Sequence, residues 1–193
     1  MRIIGGKYRS RILAEFAGDD VRPTSDRARE ALFNILAMKV VGARVLDLFS
    51  GSGALGLESL SRGAKEVVFN DRSKESVAIL KKNLAMLKLS VGEDVRITNY
   101  DYSVCLDTLT GRFNLIFLDP PYRFDFNKTA LEKIAKKGLL TEKGVAIAES
   151  DKPFLGEIAG LEKYDERKYG KAYFAFFKRA ENGTKETDNK EDV

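Results

Sequence analysis

The chain has 193 residues, 44% of them hydrophobic, enough for one sizeable core in a single domain and hence for one active site. It has no histidine and one cysteine, Cys105, which excludes an internal disulfide, a zinc cluster of cysteine and histidine, and a histidine base; no metal site is expected. The net charge is +4, but residues 181–193 carry two lysines against five acids, so residues 1–180 carry +7.

From the N-terminus, "MRIIGGKYRSR" holds Arg2, Lys7, Arg9 and Arg11 with no acid, which suits a phosphate backbone; a solvated basic strand pair is the alternative. The segment lacks the apolar core of a signal peptide, and no apolar stretch approaches the roughly 20 residues that cross a bilayer, so a cytoplasmic protein with no membrane partner is expected. "IIGGKYRSRIL" predicts two short strands. "TSDRAREALFNILAMK" predicts a helix capped by Thr24 or Ser25, docking through Ala28, Ala31, Leu32, Ile35 and Leu36. Strands are expected at "ARVLDLF", "EVVFND", "VRITNY", "FNLIFLD" and "GVAIAES", alternating with helices at "ALGLESLSRG", "KESVAILKKNLAMLKL", "SVCLDTL" and "NKTALEKIAKKG". This alternation is that of an α/β protein with a parallel sheet. The end differs: "LEKYDERKYG" and "KAYFAFFKRA" form a hairpin through Gly170. The polar tail 181–193, without aromatics, reads as disordered and acidic, leaving residues 1–180 as the single domain.

In "VLDLFSGSGALGLE", Gly51, Gly53 and Gly56 follow a strand and open a helix, and Asp71 ends the next strand 20 positions after Gly51. Such a loop admits a ligand close to the backbone, and the acid suits both hydroxyls of a ribose, so an adenosine-bearing cofactor is expected; glycines needed for packing alone are the alternative. Asp47, four residues before Gly51, would repel a pyrophosphate and suits a cofactor with an ammonium group, which favours S-adenosylmethionine over a nicotinamide dinucleotide. A carboxylate that only caps the glycine turn is the other reading of Asp47.

"LIFLDPPYRF" runs a buried strand into Asp119, Pro120, Pro121 and Tyr122, at the sheet edge where open parallel sheets bind ligands. The prolines restrict the chain and lack donors, so the turn is a rigid acceptor platform. The exocyclic amine of a base is a poor nucleophile because its lone pair is delocalised. If Asp119 and the Pro120 carbonyl accept its two N–H bonds, the lone pair can turn toward a sulfonium methyl, and no histidine is needed. Tyr122 is placed to stack on a base that is flipped out or unpaired. A Pro-rich strand terminator with Tyr122 in the core is the bland alternative.

With these motifs the chain resembles the bacterial methyltransferases that modify guanine N2 in 16S ribosomal RNA. "IIGGKYRSR", "RPTSDRAREALFNIL", "VLDLFSGSGALGLESLSRGA", "FLDPPY" and "YGKAYFAFF" carry the resemblance, across nearly all of residues 1–179. It implies a Rossmann-like class I methyltransferase fold, a seven-stranded sheet with the last strand antiparallel, S-adenosylmethionine as cofactor, and an RNA-contacting N-terminal extension over residues 1–42. It maps cofactor contacts onto Asp47, Gly51, Gly53 and Asp71, with Asp101 of "NYDYS" near the adenine, and catalysis onto Asp119, Pro120 and Tyr122. Lys7, Arg9, Arg11, Arg22 and Arg27 are the implied RNA contacts, although Arg27 and Arg29 also suit surface pairs with Asp26 and Glu30 on a helix. The implied substrate is 16S rRNA in the small subunit or a late assembly intermediate, met by a monomer. Phe124, Phe126 and Glu149 are further residues expected near the base pocket. A DNA adenine-N6 methyltransferase, a nicotinamide-dependent oxidoreductase and a non-catalytic RNA-binding module are the competing readings.

Overall fold

The computed structural model describes residues 1–16, 25–121 and 126–180. Helix α1 spans Asp26–Leu36, and Ser25 caps it by accepting the Ala28 N–H at 3.2 Å. Then β1 (Arg44–Asp47), α2 (Ala54–Ser61), β2 (Glu66–Asn70), α3 (Lys74–Met86), β3 (Val95–Thr98), α4 (Tyr102–Thr108), β4 (Phe113–Leu118), α5 (Phe126–Lys137) and β5 (Leu140–Ser150) alternate as expected, and β6 (Leu161–Tyr169) and β7 (Ala172–Arg179) form the closing hairpin. Among the described residues the strands build one seven-stranded sheet, ordered β3-β2-β1-β4-β5-β7-β6. Strands β1 to β5 run parallel, and β7 lies antiparallel between β5 and β6.

Both faces of the sheet are covered, which is why its central strands are near-continuous apolar runs. Val45, Leu115, Phe117, Val145 and Ile147 meet Leu32, Phe33 and Leu36 of α1 and Leu80 and Leu84 of α3 on one face. Leu46, Ile116, Leu118, Ala146 and Ala148 meet Leu106 of α4 and Leu131 and Ile134 of α5 on the other. Tight turns at the strand ends leave the C-terminal edge of β1, β2, β4 and β5 to loops.

Two local expectations are corrected. The buried face of α1 is Ala28, Arg29, Leu32, Phe33 and Leu36, while Ile35 is 38% exposed. The helix is covered by the N-terminal segment as well as by the sheet, and Arg29 Nη2 donates to the Arg2 carbonyl, which turns the buried arc toward positions 29 and 33. That N-terminal segment is not a strand pair: it has one antiparallel bridge, Arg2 to Ile12, around turns at 5–10. The ladder cannot extend, because the Ile4 and Gly5 N–H groups donate to the buried carboxylate of Glu58 at 2.7 and 2.9 Å. Thr24 and the tail 181–193 lie outside the described residues.

Candidate active site

The glycine loop leaves β1 after Asp47 and turns back into α2. Gly53 is the N-cap of α2 at φ +88°, and a Cβ there would fall 2.4 Å from Cδ1 of Leu80, so both backbone and packing require glycine. Gly56 is constrained by space alone, since a Cβ would lie 2.2 Å from the Phe69 ring of β2. Among the described residues a Cβ at Gly51 would meet a Phe16 ring carbon at 3.9 Å and nothing nearer, so that side of the loop is open there. The Ser50 hydroxyl next to it is buried with no hydrogen-bond partner among the described residues. A buried hydroxyl without a partner and an open backbone cradle fit a ligand with polar groups that comes close to the main chain.

Two carboxylates fasten this loop. Asp71, one residue beyond β2, accepts the Gly51 N–H through Oδ2 and the Ser73 N–H through Oδ1, each at 2.8 Å. Asp47 is 2% exposed and accepts the Gly56 N–H through Oδ2 at 2.9 Å. Burial, with a smaller push from the Asp71 charge, moves its carboxyl from the ordinary 3.8 up to about 7. Asp101 caps α4 by accepting the Ser103 N–H at 3.0 Å.

Residues that sequence reasoning missed hold these ends in place. Asn70, fully buried at the end of β2, donates to the carbonyls of Leu48 and Tyr100 and accepts from the Thr98 hydroxyl at 2.8 Å. It therefore ties the ends of β1, β2 and β3 together. Phe49, Tyr102 and Phe126 form a ring cluster with centroids 5.4, 6.2 and 5.1 Å apart. Phe49 follows β1, Tyr102 opens α4 after β3, and Phe126, expected near the base pocket, opens α5 after β4; one aromatic beyond each of these strands is the signal that could have found the other two.

Asp119 and Pro120 follow β4, and Pro120 is buried. The register sets Asp47 beside Phe117, two residues before Asp119. Since alternate residues share a face, Asp47 and Phe117 lie on the face that α1 covers, and Asp119 follows directly on the end of β4. The glycine loop and the Asp119 turn thus sit on adjacent strands at one edge. Arg27 is exposed on the first turn of α1, and Lys7, Arg9 and Arg11 are exposed on the N-terminal segment. Tyr122, Phe124 and Arg22 lie outside the described residues. Among the described residues no helix is long and apolar enough to cross a membrane.

The family model described as conserved hypothetical protein 95 matches residues 1–178. Ribosomal RNA small subunit methyltransferase D of Escherichia coli strain K12 is 38% identical over 151 residues, covering 78% of this chain and 75% of that protein. The chain belongs to the ribosomal RNA small subunit methyltransferase D family. The solved structure of yhhF from Escherichia coli matches with a TM-score of 0.81 at 35% identity, over 93% of this chain and 97% of that one. SMU.776, solved in complex with SAH, shares the fold at 16% identity and a TM-score of 0.61, over 79% of this chain and 49% of its own. Family membership agrees with the resemblance carried by "RPTSDRAREALFN" and "DPPY", and the class I methyltransferase fold agrees with the observed strand order.

Proposed function

We propose that this chain methylates the exocyclic N2 of a guanine in 16S rRNA of the small ribosomal subunit. The observation that carries the reading is the place of Asp119 and Pro120 at the end of β4, beside the glycine loop that follows Asp47. Asp47, Gly51, Gly53 and Asp71 hold S-adenosylmethionine, with Asp101 near its adenine; the open side of Gly51 and the Ser50 hydroxyl fit it. When bound, it supplies an electrophilic methyl group on a sulfonium. The rest falls to the protein's own groups. The Asp119 carboxylate and the Pro120 carbonyl accept the two N–H bonds of the amine, turning its lone pair out of conjugation. The proton released on transfer passes to the Asp119 carboxylate, which already accepts its hydrogen bond. A paired base cannot reach the turn, so the target is flipped out or single-stranded, with Tyr122 stacking on it. Lys7, Arg9, Arg11, Arg22 and Arg27 meet RNA phosphates, which makes residues 1–42 the RNA-contacting extension of a monomer.

The test is transfer of labelled methyl to small subunits that lack their native methylation, beside naked 16S RNA and duplex DNA. Label recovered as N2-methylguanosine from the subunit is expected. Label in DNA adenine, or none anywhere despite cofactor binding, overturns the reading.

Asp47 gives a second test. Its carboxyl binds a proton more tightly folded than unfolded, so the fold loses stability as pH rises from about 4 through about 7. Asp47→Asn keeps an oxygen for the Gly56 N–H and removes the titration. Its melting temperature should gain on the wild type as pH rises from 5 to 8, ending several degrees above it at pH 8, while it binds the cofactor ammonium at least about 10-fold more weakly. Melting curves at both pH values and a binding titration check this; equal melting shifts at the two values would remove the charge from the account.

A further inference from the structure

The Asp119 turn does not by itself distinguish the N2 of guanine from the N6 of adenine, because both are exocyclic amines. The ring position beside the amine does. In guanine N1 carries a hydrogen and donates; in adenine N1 is an acceptor. A group beside Asp119 that only accepts would tell the two bases apart.

Such a group ends β5. Leu118, the last residue of β4, pairs with Ala148; Asp119 precedes a proline and so favours extended backbone, which carried one step further brings it beside Glu149 on the neighbouring strand, about 4.8 Å away across a sheet. Val145 and Ile147 of β5 lie on the α1 face, and alternation puts Glu149 there too, on the face that an extended Asp119 shares. Glu149 is 2% exposed. Its carbonyl is held from the opposite face by Asn127 Nδ2 at 2.8 Å, which fixes the strand end. Arg29 of α1, 0% exposed, is a buried positive charge on the helix that covers this face. The guanidinium is anchored through Nη2 to Asp26 Oδ1 at 2.9 Å and to the Arg2 carbonyl, while Nε and Nη1 are buried without a hydrogen-bond partner among the described residues. A buried carboxylate needs a counter-charge, and Arg29 supplies one.

We infer that Glu149 reads the Watson–Crick edge of the target, accepting guanine N1–H while Asp119 and Pro120 hold N2. The inference rests on the guanine-N2 reading above. An ionised carboxylate offers about four lone-pair sites on two oxygens, so partners within the protein leave room for a base. N1 and N2 share one ring carbon, so acceptors carried on neighbouring strands suit the two groups together. Adenine would set its N1 lone pair against the carboxylate in a desolvated site. Sites built to hydrogen-bond a substrate group reject analogues lacking it by about 10⁴ to 10⁵.

The test uses the full-length protein and subunits reconstituted with guanosine or 2-aminopurine ribonucleoside at the target position. 2-Aminopurine keeps the amine on the same ring carbon, but its N1 is an acceptor. The wild type should favour guanine by at least about 10³ in kcat/KM. Glu149→Gln carries an amide that satisfies either base by turning over, so its preference should fall at least about 30-fold, with activity on 2-aminopurine rising. The ratio is measured within one variant, so partial unfolding cancels. An unchanged ratio in Glu149→Gln, with the wild type still forming N2-methylguanosine, overturns the inference and leaves the proposed function standing. No N2-methylguanosine from the wild type overturns both.

Discussion

Replacing Asp119 with Ala should lower kcat on the small subunit by about 10³-fold or more and leave cofactor affinity within about 3-fold. The carboxylate supplies one of two acceptors for the amine and receives the proton, so its loss removes both orientation and charge stabilisation at the step itself; single groups of this kind are each worth about 10² to 10⁴. The cofactor contacts are proposed on Asp47, Gly51, Gly53 and Asp71, none of which needs Asp119 for its position: Asp71 is fixed by the Gly51 and Ser73 amides and Asp47 by Gly56. Single-turnover transfer and a binding titration on the same preparation separate the two effects. Lost cofactor binding in a protein that still melts cooperatively would move Asp119 from the reaction to the cofactor pocket. Asp119→Asn keeps one acceptor but cannot take the proton, and should fall between the wild type and Ala.

The parallel core was legible because its signal is local. "FNLIFL" and "GVAIAES" are apolar runs that only a sheet covered on both faces would bury, and the structure has β4 and β5 there. The start of β5 was not legible: "LTEKG" is polar, yet Leu140 pairs with Phe113, and a register shift follows before Leu115. Polar residues of a partly covered strand carry no run to read. The hairpin at Gly170 could be read because a positive-φ glycine between two alternating segments is a local signature, and Gly170 sits at φ +64°.

The candidate site was legible where sequence order brings chemistry to a strand end, as at Asp47, Asp71 and Asp119. It was not legible where a buried polar group finds its partner far along the chain. Glu58 reads as an ordinary helix acid, yet it is fully buried and takes the Ile4 and Gly5 amides from 54 and 53 residues away, together with Arg62 Nε at 2.7 Å. Arg29 likewise reads as one half of a surface pair and is in fact enclosed under the N-terminal segment. Asn83 is the same case, joining the Ala14 backbone to the carbonyl of Ser52 in the glycine loop. Periodicity identifies which face is apolar; it cannot identify a charge that one distant segment satisfies.

Gly6→Ala should be the most damaging single change outside the reaction centre. Gly6 has φ +74°, and a Cβ there would lie 1.8 Å from the Ser61 carbonyl oxygen and 2.8 Å from the Arg62 nitrogen, both main-chain atoms of the α2 end, which cannot move aside. Around it the segment is fastened to that helix end. The Lys7 N–H donates to the Ser61 carbonyl at 2.7 Å, filling an acceptor that a helix C-terminus leaves open, and the Tyr8 N–H donates to Ser61 Oγ at 2.9 Å. Lifting residues 4–8 breaks these bonds and withdraws two amides from the buried Glu58, worth roughly 2 to 4 kcal/mol in all and a melting shift of roughly 5 to 10 °C. The exposed Lys7, Arg9 and Arg11 lose their placement, so KM for the subunit should rise at least about 30-fold. Cofactor affinity should hold within about 3-fold, because Asn83 still ties Ala14 to the glycine loop. Steady-state kinetics at two salt concentrations decide the role of the segment. A raised KM with a shallower salt dependence marks lost phosphate contacts. A lower melting point with unchanged KM would make residues 1–13 a structural cover for α1 and α2, and the RNA contacts would have to lie elsewhere.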